Sequence, residues 1–472
     1  MKKIALMTWH HTENYGTAFQ AYALKILIEK QGCSVDLIDY RRLNDAPLDL
    51  PRFSQRILYF FHCFIAFLFK EKNRRFIFEK EVFGRFYEDN FTYTKRCLYN
   101  QDFADLNSHY DGFVCGSDQI WGPSWYDGRF FLDFVNNPQK LISYAPSLGV
   151  PVIRHPQIRE QMKKLINRFP HISLREKTGC DEIKNLIQRE DVYNVLDPVL
   201  MIDSDYWQTL EEPFECDRKY ALIFFLANNK RNILKSVNAA KEKNLFPIVL
   251  HCTQTNDTPF ANTPGLTPGQ LLYCVRNSSL VCTDSFHVVV LSILYHKQFL
   301  SFKKQVGRNS ESQYKRITDL INRLNIEGGV FVDDASFNQT IDYNNVDSVL
   351  EKQRLDSLIY LKTALNSLPN QIDKYIEFCE INEPCKGEYT KAFADYISTI
   401  NDINKKEFAI SCQFALDHKC YRCKYLISSF GEDNREPLFY DELQADLENK
   451  KKVFNRYYLP FYFSTIIKRG LR

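Results

Sequence analysis

The 472-residue sequence predicts an α/β protein whose two halves face a cleft, followed by a helical C-terminal extension. Three observations carry that expectation. Short apolar runs alternate with amphipathic helical segments as far as Ser301. Several runs stop at loops of Gly, Asn, Ser and Asp, as buried parallel strands do where they meet a ligand-facing edge. From about residue 346 the pattern turns helical and charged.

The elements follow in order. Lys2–Thr8 reads as a strand, His10–Thr17 as a polar loop and Ala18–Gln31 as an amphipathic helix ended by Gly32. Cys33–Asp39 is the next strand, closing a βαβ unit with a right-handed crossover. A helical, aromatic-rich insertion occupies residues 53–110, before strands Gly112–Cys115 and Leu141–Tyr144. A second set opens with helix Gln157–Asn167, strand His171–Leu174, helix Thr178–Ile187 and strand Tyr193–Leu196. Strands Tyr220–Phe225, Phe246–Leu250, Ser279–Cys282 and Gln298–Ser301 complete it, with helices Asp347–Ser367 and Asn370–Asn382 beyond. The expected domains are 1–150 with the 53–110 insertion, 151–345, and a helical extension 346–472 ending in a basic aromatic tail.

Composition excludes several classes. Apolar residues make up 44% and charged ones 25%, so the chain is globular rather than disordered. A net charge of +3 gives no general reason for nucleic acid as a partner. Only Ile4–Thr8 separates the first lysines from Trp9, too little for a signal-peptide core, and the expected location is cytoplasmic. Fourteen cysteines without framework spacing fit reduced thiols. Cys412, Cys420 and Cys423 offer one CxxC, short of two close ligand pairs, so no metal is expected. Ile57–Phe69 is apolar but below the ~20 residues of a spanning helix; it reads as a buried helix or as a membrane-surface contact. The tail 450–472 carries seven basic residues and no acidic ones between its aromatics. It suits peripheral contact with the inner face of the cytoplasmic membrane, or equally a tail that is disordered or docked on the protein.

Four loops hold candidate chemistry, each with a plainer alternative. In Asn14–Thr17, Gly16 permits positive φ and close ligand approach, and the following helix amides favour an anion; any strand-to-helix turn carries such residues too. In Gly116–Trp121, Asp118 could bind or deprotonate a hydroxyl and Trp121 could stack on a sugar, or the two could cap a helix and fill the core. In His171–Glu176, Arg175 could fork an anion or pair with Glu176. In Leu280–Phe302, His287 would sit in the first turn of an apolar helix, suited to proton transfer, beside Ser285 and Asp284; the plainer reading is a helix cap with the histidine packed beneath.

Together NYGTAFQAYAL (14–24), DLIDYR (36–41), YDGFVCGSDQIW (110–121), FFLDFV (130–135), KLISYAPSLG (140–149), ISLREKTG (172–179), VLDPVLM (195–201) and TDSFHVVVLSILYHKQF (283–299) resemble the polysaccharide pyruvyl transferase family, over about residues 3–326. The resemblance implies a GT-B-like fold of two Rossmann-like domains in a bacterial cell-envelope enzyme of exopolysaccharide synthesis. It implies transfer of the pyruvyl group of phosphoenolpyruvate onto two hydroxyls of a saccharide, free or lipid-linked, as a cyclic ketal with release of phosphate. No cofactor beyond that donor is expected. On this reading His287 protonates the donor methylene and Asp118 orients or deprotonates the acceptor. Arg175, Ser285, Arg316, Asn14 and Gly16 bind the donor, while Gln119, Trp121 and Asp284 meet the acceptor. Val288 departs from the small residue that follows the histidine in this family. A nucleotide-sugar glycosyltransferase and a non-catalytic polysaccharide-assembly protein are the alternatives.

Overall fold

The computed structural model describes residues 1–10, 12–40, 74–227, 229–251, 265–303 and 310–369. The chain divides into two units, Met1–Leu368 and Pro369–Arg472, and every described helix and strand lies in the first. Their order is β1 (Lys3–Met7), α1 (Tyr15–Glu29), β2 (Ser34–Leu37), α2 (Arg74–Asn90), α3 (Asn100–His109), β3 (Gly112–Cys115) and β4 (Leu141–Ser143). Next come α4 (Pro156–Ile166), β5 (Ile172–Leu174), α5 (Lys177–Ile187), β6 (Val192–Asn194), α6 (Ser204–Gln208) and β7 (Tyr220–Phe225). The remainder is α7 (Lys230–Glu242), β8 (Phe246–His251), α8 (Pro268–Asn277), β9 (Leu280–Thr283), α9 (Phe286–Leu294), β10 (Phe299–Ser301), α10 (Ser310–Arg323) and α11 (Tyr343–Asn366).

Two four-stranded all-parallel sheets result, ordered β2-β1-β3-β4 and β10-β9-β7-β8, beside the parallel pair β5-β6. Each starts at an inner strand, steps one way, and then resumes on the other side. The order therefore reverses between β1 and β3 in one sheet and between β7 and β9 in the other. Such reversals open a crevice at the carboxyl ends of the strands, where α/β proteins bind ligands. Side chains alternate across the first sheet: Ala5, Met7 and Phe113 join one core, Ile4, Leu6 and Val114 another. The second of these cores runs on into the other half. There α1 packs Phe19 on Trp207 at 5.6 Å and shares its core with Val289 and Leu291 of α9.

Two expected boundaries are corrected. Residue 150 does not end the first half, because β5 and β6, a separate two-stranded parallel sheet, attach beside β4. Ile142 bridges His171 in parallel, the Ser143 amide donates to the His171 carbonyl at 3.2 Å, and β6 pairs with β5. Ile172, Leu174 and Ile183 accordingly bury in the cluster of Ala5 and Phe113. Nor does an extension begin at 346. Helix α11 is fastened to the first half: Tyr360 Oη donates to the Ser143 carbonyl at 2.8 Å, the Leu196 amide donates to Ser357 Oγ at 2.9 Å, and Lys2 Nζ donates to the Leu365 and Leu368 carbonyls at 3.0 and 2.9 Å. Ile57–Phe69, Asn370–Asn382, the 450–472 tail and Cys412, Cys420 and Cys423 lie outside the described residues. Among the described residues no helix is long and apolar enough to cross a membrane.

Candidate active site

The site forms where the two strand-order reversals face one another. At the first, Gln20 of α1 ties the ends of β1 and β3 together. Its Nε2 donates to Thr8 Oγ1 at 3.0 Å, and its Oε1 accepts from the Ser117 amide at 3.0 Å. Gly116, at φ 140°, closes the β3 end so tightly that a Cβ there would lie 1.8 Å from the Tyr144 carbonyl oxygen. The loop then turns Asp118 (φ 63°) toward α1. Its Oδ1 accepts from the Gln119 amide at 2.8 Å and its Oδ2 from Thr17 Oγ1 at 3.1 Å. Helix α1 begins three residues earlier than its apolar pattern indicates, because Asn14 caps it by accepting from the Thr17 amide at 3.2 Å. That brings Gly16 and Thr17 into the first turn.

At the second reversal Asp284 plays the part of Gln20. Its Oδ1 accepts from the Leu226 amide at 2.5 Å and its Oδ2 from the Ala227 amide at 3.0 Å, joining the ends of β7 and β9. Ser285 caps α9 without a side-chain capping bond, and His287 follows in the first turn, 8% exposed. Two cavities meet at Asn14, Leu226, Ser285 and His287. One, of about 200 Å³, is lined by Trp9, Asp118, Gln119, Trp125 and Arg316. The other, of about 250 Å³, is lined by Glu13, Gly16, Phe224, Leu271 and Val288.

Positive charge concentrates around the Phe286 ring. The guanidinium carbons of Arg175 and Arg316 lie 4.3 and 5.6 Å from its centroid. Arg175 donates through Nε to Glu176 Oε1 and through Nη1 to Asp197 Oδ2, both at 2.9 Å. With the Gln119 amide oxygen turned toward it, Arg316 donates Nη1 and Nη2 at 2.8 and 2.9 Å. Arg175 Nη2, Arg316 Nε and His287 Nε2 are buried nitrogens without a hydrogen-bond partner among the described residues. Burial, reinforced by the charge of Arg175, pulls the Arg316 guanidinium down to about 10. Burial drives the Asp197 carboxyl upward, yet His287 and Arg175 outweigh it and hold it at about 2. The arrangement is a desolvated, cation-rich recess with spare donors, suited to an anion, next to a carboxylate and an imidazole.

Of the ten candidates, the structure brings Asn14, Gly16, Asp118, Gln119, Asp284, Ser285, His287 and Arg316 to the rims of these cavities. Trp121 is corrected: it is fully buried, stacked on Phe131 at 5.2 Å, with its indole N–H on the Phe130 carbonyl at 3.2 Å. Trp9 and Trp125, ring centroids 5.7 Å apart, face the cavity instead. Arg175 is also corrected as a direct cavity-lining contact, since its fork is taken by Glu176 and Asp197 within the protein. The Asp284 carboxylate is engaged by two backbone amides, so its position at the rim is that of a brace. Gly16 needs no positive φ; its lack of a Cβ matters because one would lie 2.1 Å from His287 Nδ1. Sequence reasoning missed Asp197 as a functional residue, although its Asp-Pro step just beyond a strand is a cap signal.

Solved structures of similar outline include the UDP-GlcNAc 2-epimerase of Neisseria meningitidis bound to UDP-GlcNAc, at 11% identity and TM-score 0.38, covering 77% of this chain and 94% of that one. Another is the UDP-GlcNAc 2-epimerase of Methanocaldococcus jannaschii, at 12% identity and TM-score 0.36, covering 75% of this chain and 94% of that one. Among curated proteins none matches this chain in sequence. The profile described as "Polysaccharide pyruvyl transferase" matches residues 14–303, from the Asn14 cap of α1 past His287 and β10. Spanning more than half of the chain and both facing loops of the cleft, that match makes this protein a member of the polysaccharide pyruvyl transferase family.

Proposed function

We propose that the protein transfers the pyruvyl group of phosphoenolpyruvate onto two hydroxyls of a sugar in a cell-surface polysaccharide or its lipid-linked precursor, forming a cyclic ketal and releasing phosphate. The observation that carries the reading is the buried Arg316 guanidinium, with its Nε unpartnered among the described residues, on the wall of the cavity that the His287 imidazole and the Asp118 carboxylate also line. The donor brings a carboxylate and a phosphate on one small carbon frame, which calls for several converging cations. The acceptor brings hydroxyls, which a carboxylate can orient and deprotonate.

The chemistry runs in three movements. His287 gives a proton to the donor methylene, turning it into a methyl group and leaving C2 electrophilic. An acceptor hydroxyl oxygen bonds to C2 while Asp118 takes its proton, and the C2–O bond to phosphate breaks with the electron pair leaving on phosphate. The second hydroxyl then closes the ketal on C2, its proton passing to the departing phosphate. Arg316, the α9 amides and Ser285 offset the anionic charge throughout. A lipid-linked acceptor would suit the basic and aromatic residues of 450–472, through peripheral contact with an anionic bilayer.

Titration calorimetry with phosphoenolpyruvate, run beside uridine and guanosine diphosphate sugars, tests the donor. Saturable binding of phosphoenolpyruvate alone is the expected result; binding of a nucleotide sugar in its place would turn the reading to glycosyl transfer. A second expectation concerns Gly16. An added methyl must push the His287 ring aside, so Gly16→Ala lowers kcat by roughly 10²-fold, the scale of a 1 Å misplacement. The helix itself is not weakened, since alanine is favoured over glycine there by about 1 kcal/mol. Phosphate release and thermal melting of the variant measure the two separately. Full activity would show that the ring position is immaterial.

A further inference from the structure

We infer that Asp197 is a positioning residue that fixes His287 with Nε2–H turned into the protein, so that Nδ1 is the nitrogen that exchanges protons with the substrate. The inference rests on the proposed role of His287 and extends it to a specific atom and a supporting group.

Three facts place the ring. Asp197 Oδ2 lies 3.6 Å from His287 Nε2 and already accepts from Arg175 Nη1 at 2.9 Å. Asp197 Oδ1 accepts from the Val199 amide at 3.0 Å, so the carboxylate cannot swing away. On the other side, Nδ1 lies against Gly16, which lines the 250 Å³ cavity. The aspartate is 2% exposed and faces Nε2 as a pure acceptor. A lone pair on Nε2 would meet a carboxylate lone pair at low local dielectric, whereas an N–H there meets its natural partner. The 3.6 Å separation needs to close by only a few tenths of an ångström, as apo contacts of this kind do on ligand binding. The other charged groups near the ring sit differently: Glu13 and Asp118 reach the cavities from the first half, Asp284 is held by two amides, and Arg316 faces Gln119. Arg175 acts on the ring only through the shared Asp197 oxygen. Asp197 is thus the acceptor at Nε2.

The test is long-range ¹⁵N–¹H correlation spectroscopy on the full-length chain labelled at histidine, without substrate, above the imidazole titration. The His287 ring is assigned by its loss in His287→Gln. The expected result is the Nε2–H tautomer in the wild type; an Nδ1–H tautomer overturns the inference. Asp197→Ala, which removes the acceptor, should lose the tautomer preference and lower kcat by about 10²-fold or more while KM for phosphoenolpyruvate changes less. Asp197→Asn, which still presents a carbonyl oxygen to Nε2, should recover the tautomer and part of the rate. Equal tautomers in all three proteins would also overturn it. If Asp197→Ala does not fold, the wild-type spectrum alone decides. Failure of phosphoenolpyruvate to bind the wild type would count against the donor, and the ring spectrum would still report on Asp197.

Discussion

His287→Gln lowers turnover by roughly 10²–10⁴-fold with the fold unchanged, the loss that follows removal of a general acid. The histidine stands in the first turn of α9, at the strand-order reversal of the second sheet, and it is common to both cavities. Nothing in its packing requires a base. Among the described residues its Nε2 has no hydrogen-bond partner, and its ring lies edge-on to Phe286 at 5.3 Å between centroids. A glutamine fills similar space and keeps a polar end for Asp197, so thermal stability should change little. Phosphate release from phosphoenolpyruvate in the presence of acceptor, paired with near-ultraviolet circular dichroism, measures activity and fold together. Retention of most activity would show that His287 is not the general acid, whereas absence of turnover in the wild type would favour a non-catalytic polysaccharide-assembly protein that keeps the transferase fold.

Much of this was legible in the sequence, and the misses share one cause. Gly112–Cys115 and Tyr220–Phe225 were placed to the residue because central parallel strands are continuous apolar runs bounded by turn residues. His287, Asp118 and Ser285 were legible because they follow such strands directly. Trp121 was misread because apolar and polar readings of an aromatic differ only in what lies on the far side of the chain. The partner that buries it, Phe131, sits in the next turn of the loop. The same holds for residue 150: β5 carries nothing in its own three residues that says which sheet it will attach to. Arg175 was legible as a cation at a strand end. Its second acceptor, Asp197, comes from the far end of the next βα unit, so the closed pair could not be read locally.

That closed pair sets the second large expectation, in which the two arginines around Phe286 part company. Arg175→Ala destabilises the fold by about 3–5 kcal/mol, the cost of stripping one member from a buried ion cluster. Glu176 and Asp197 have side chains 7% and 1% exposed, and each would lose a 2.9 Å charged contact in a buried setting. Their attraction outweighs burial in holding the Arg175 guanidinium above its ordinary range, which is the same statement made from the arginine's side. Arg316 stands in the opposite situation. Burial and the neighbouring Arg175 charge depress it, and its acceptor is the neutral amide of Gln119. Removing it relieves a repulsion in the free protein and takes a cation away from the cavity. Arg316→Ala therefore keeps the melting temperature and weakens phosphoenolpyruvate binding by about 10- to 100-fold, matching the ~1.5–3 kcal/mol of a hydrogen bond to a charged group. Urea unfolding of both variants beside calorimetry separates the two effects. A stable Arg175→Ala that alone loses the donor would reverse the assignment, making Arg175 the anion contact and Arg316 its support. A loss of binding in Arg175→Ala means something about the donor only when its fold has been shown intact, so Arg316 is the cleaner site at which to ask what anion this cleft was built to hold.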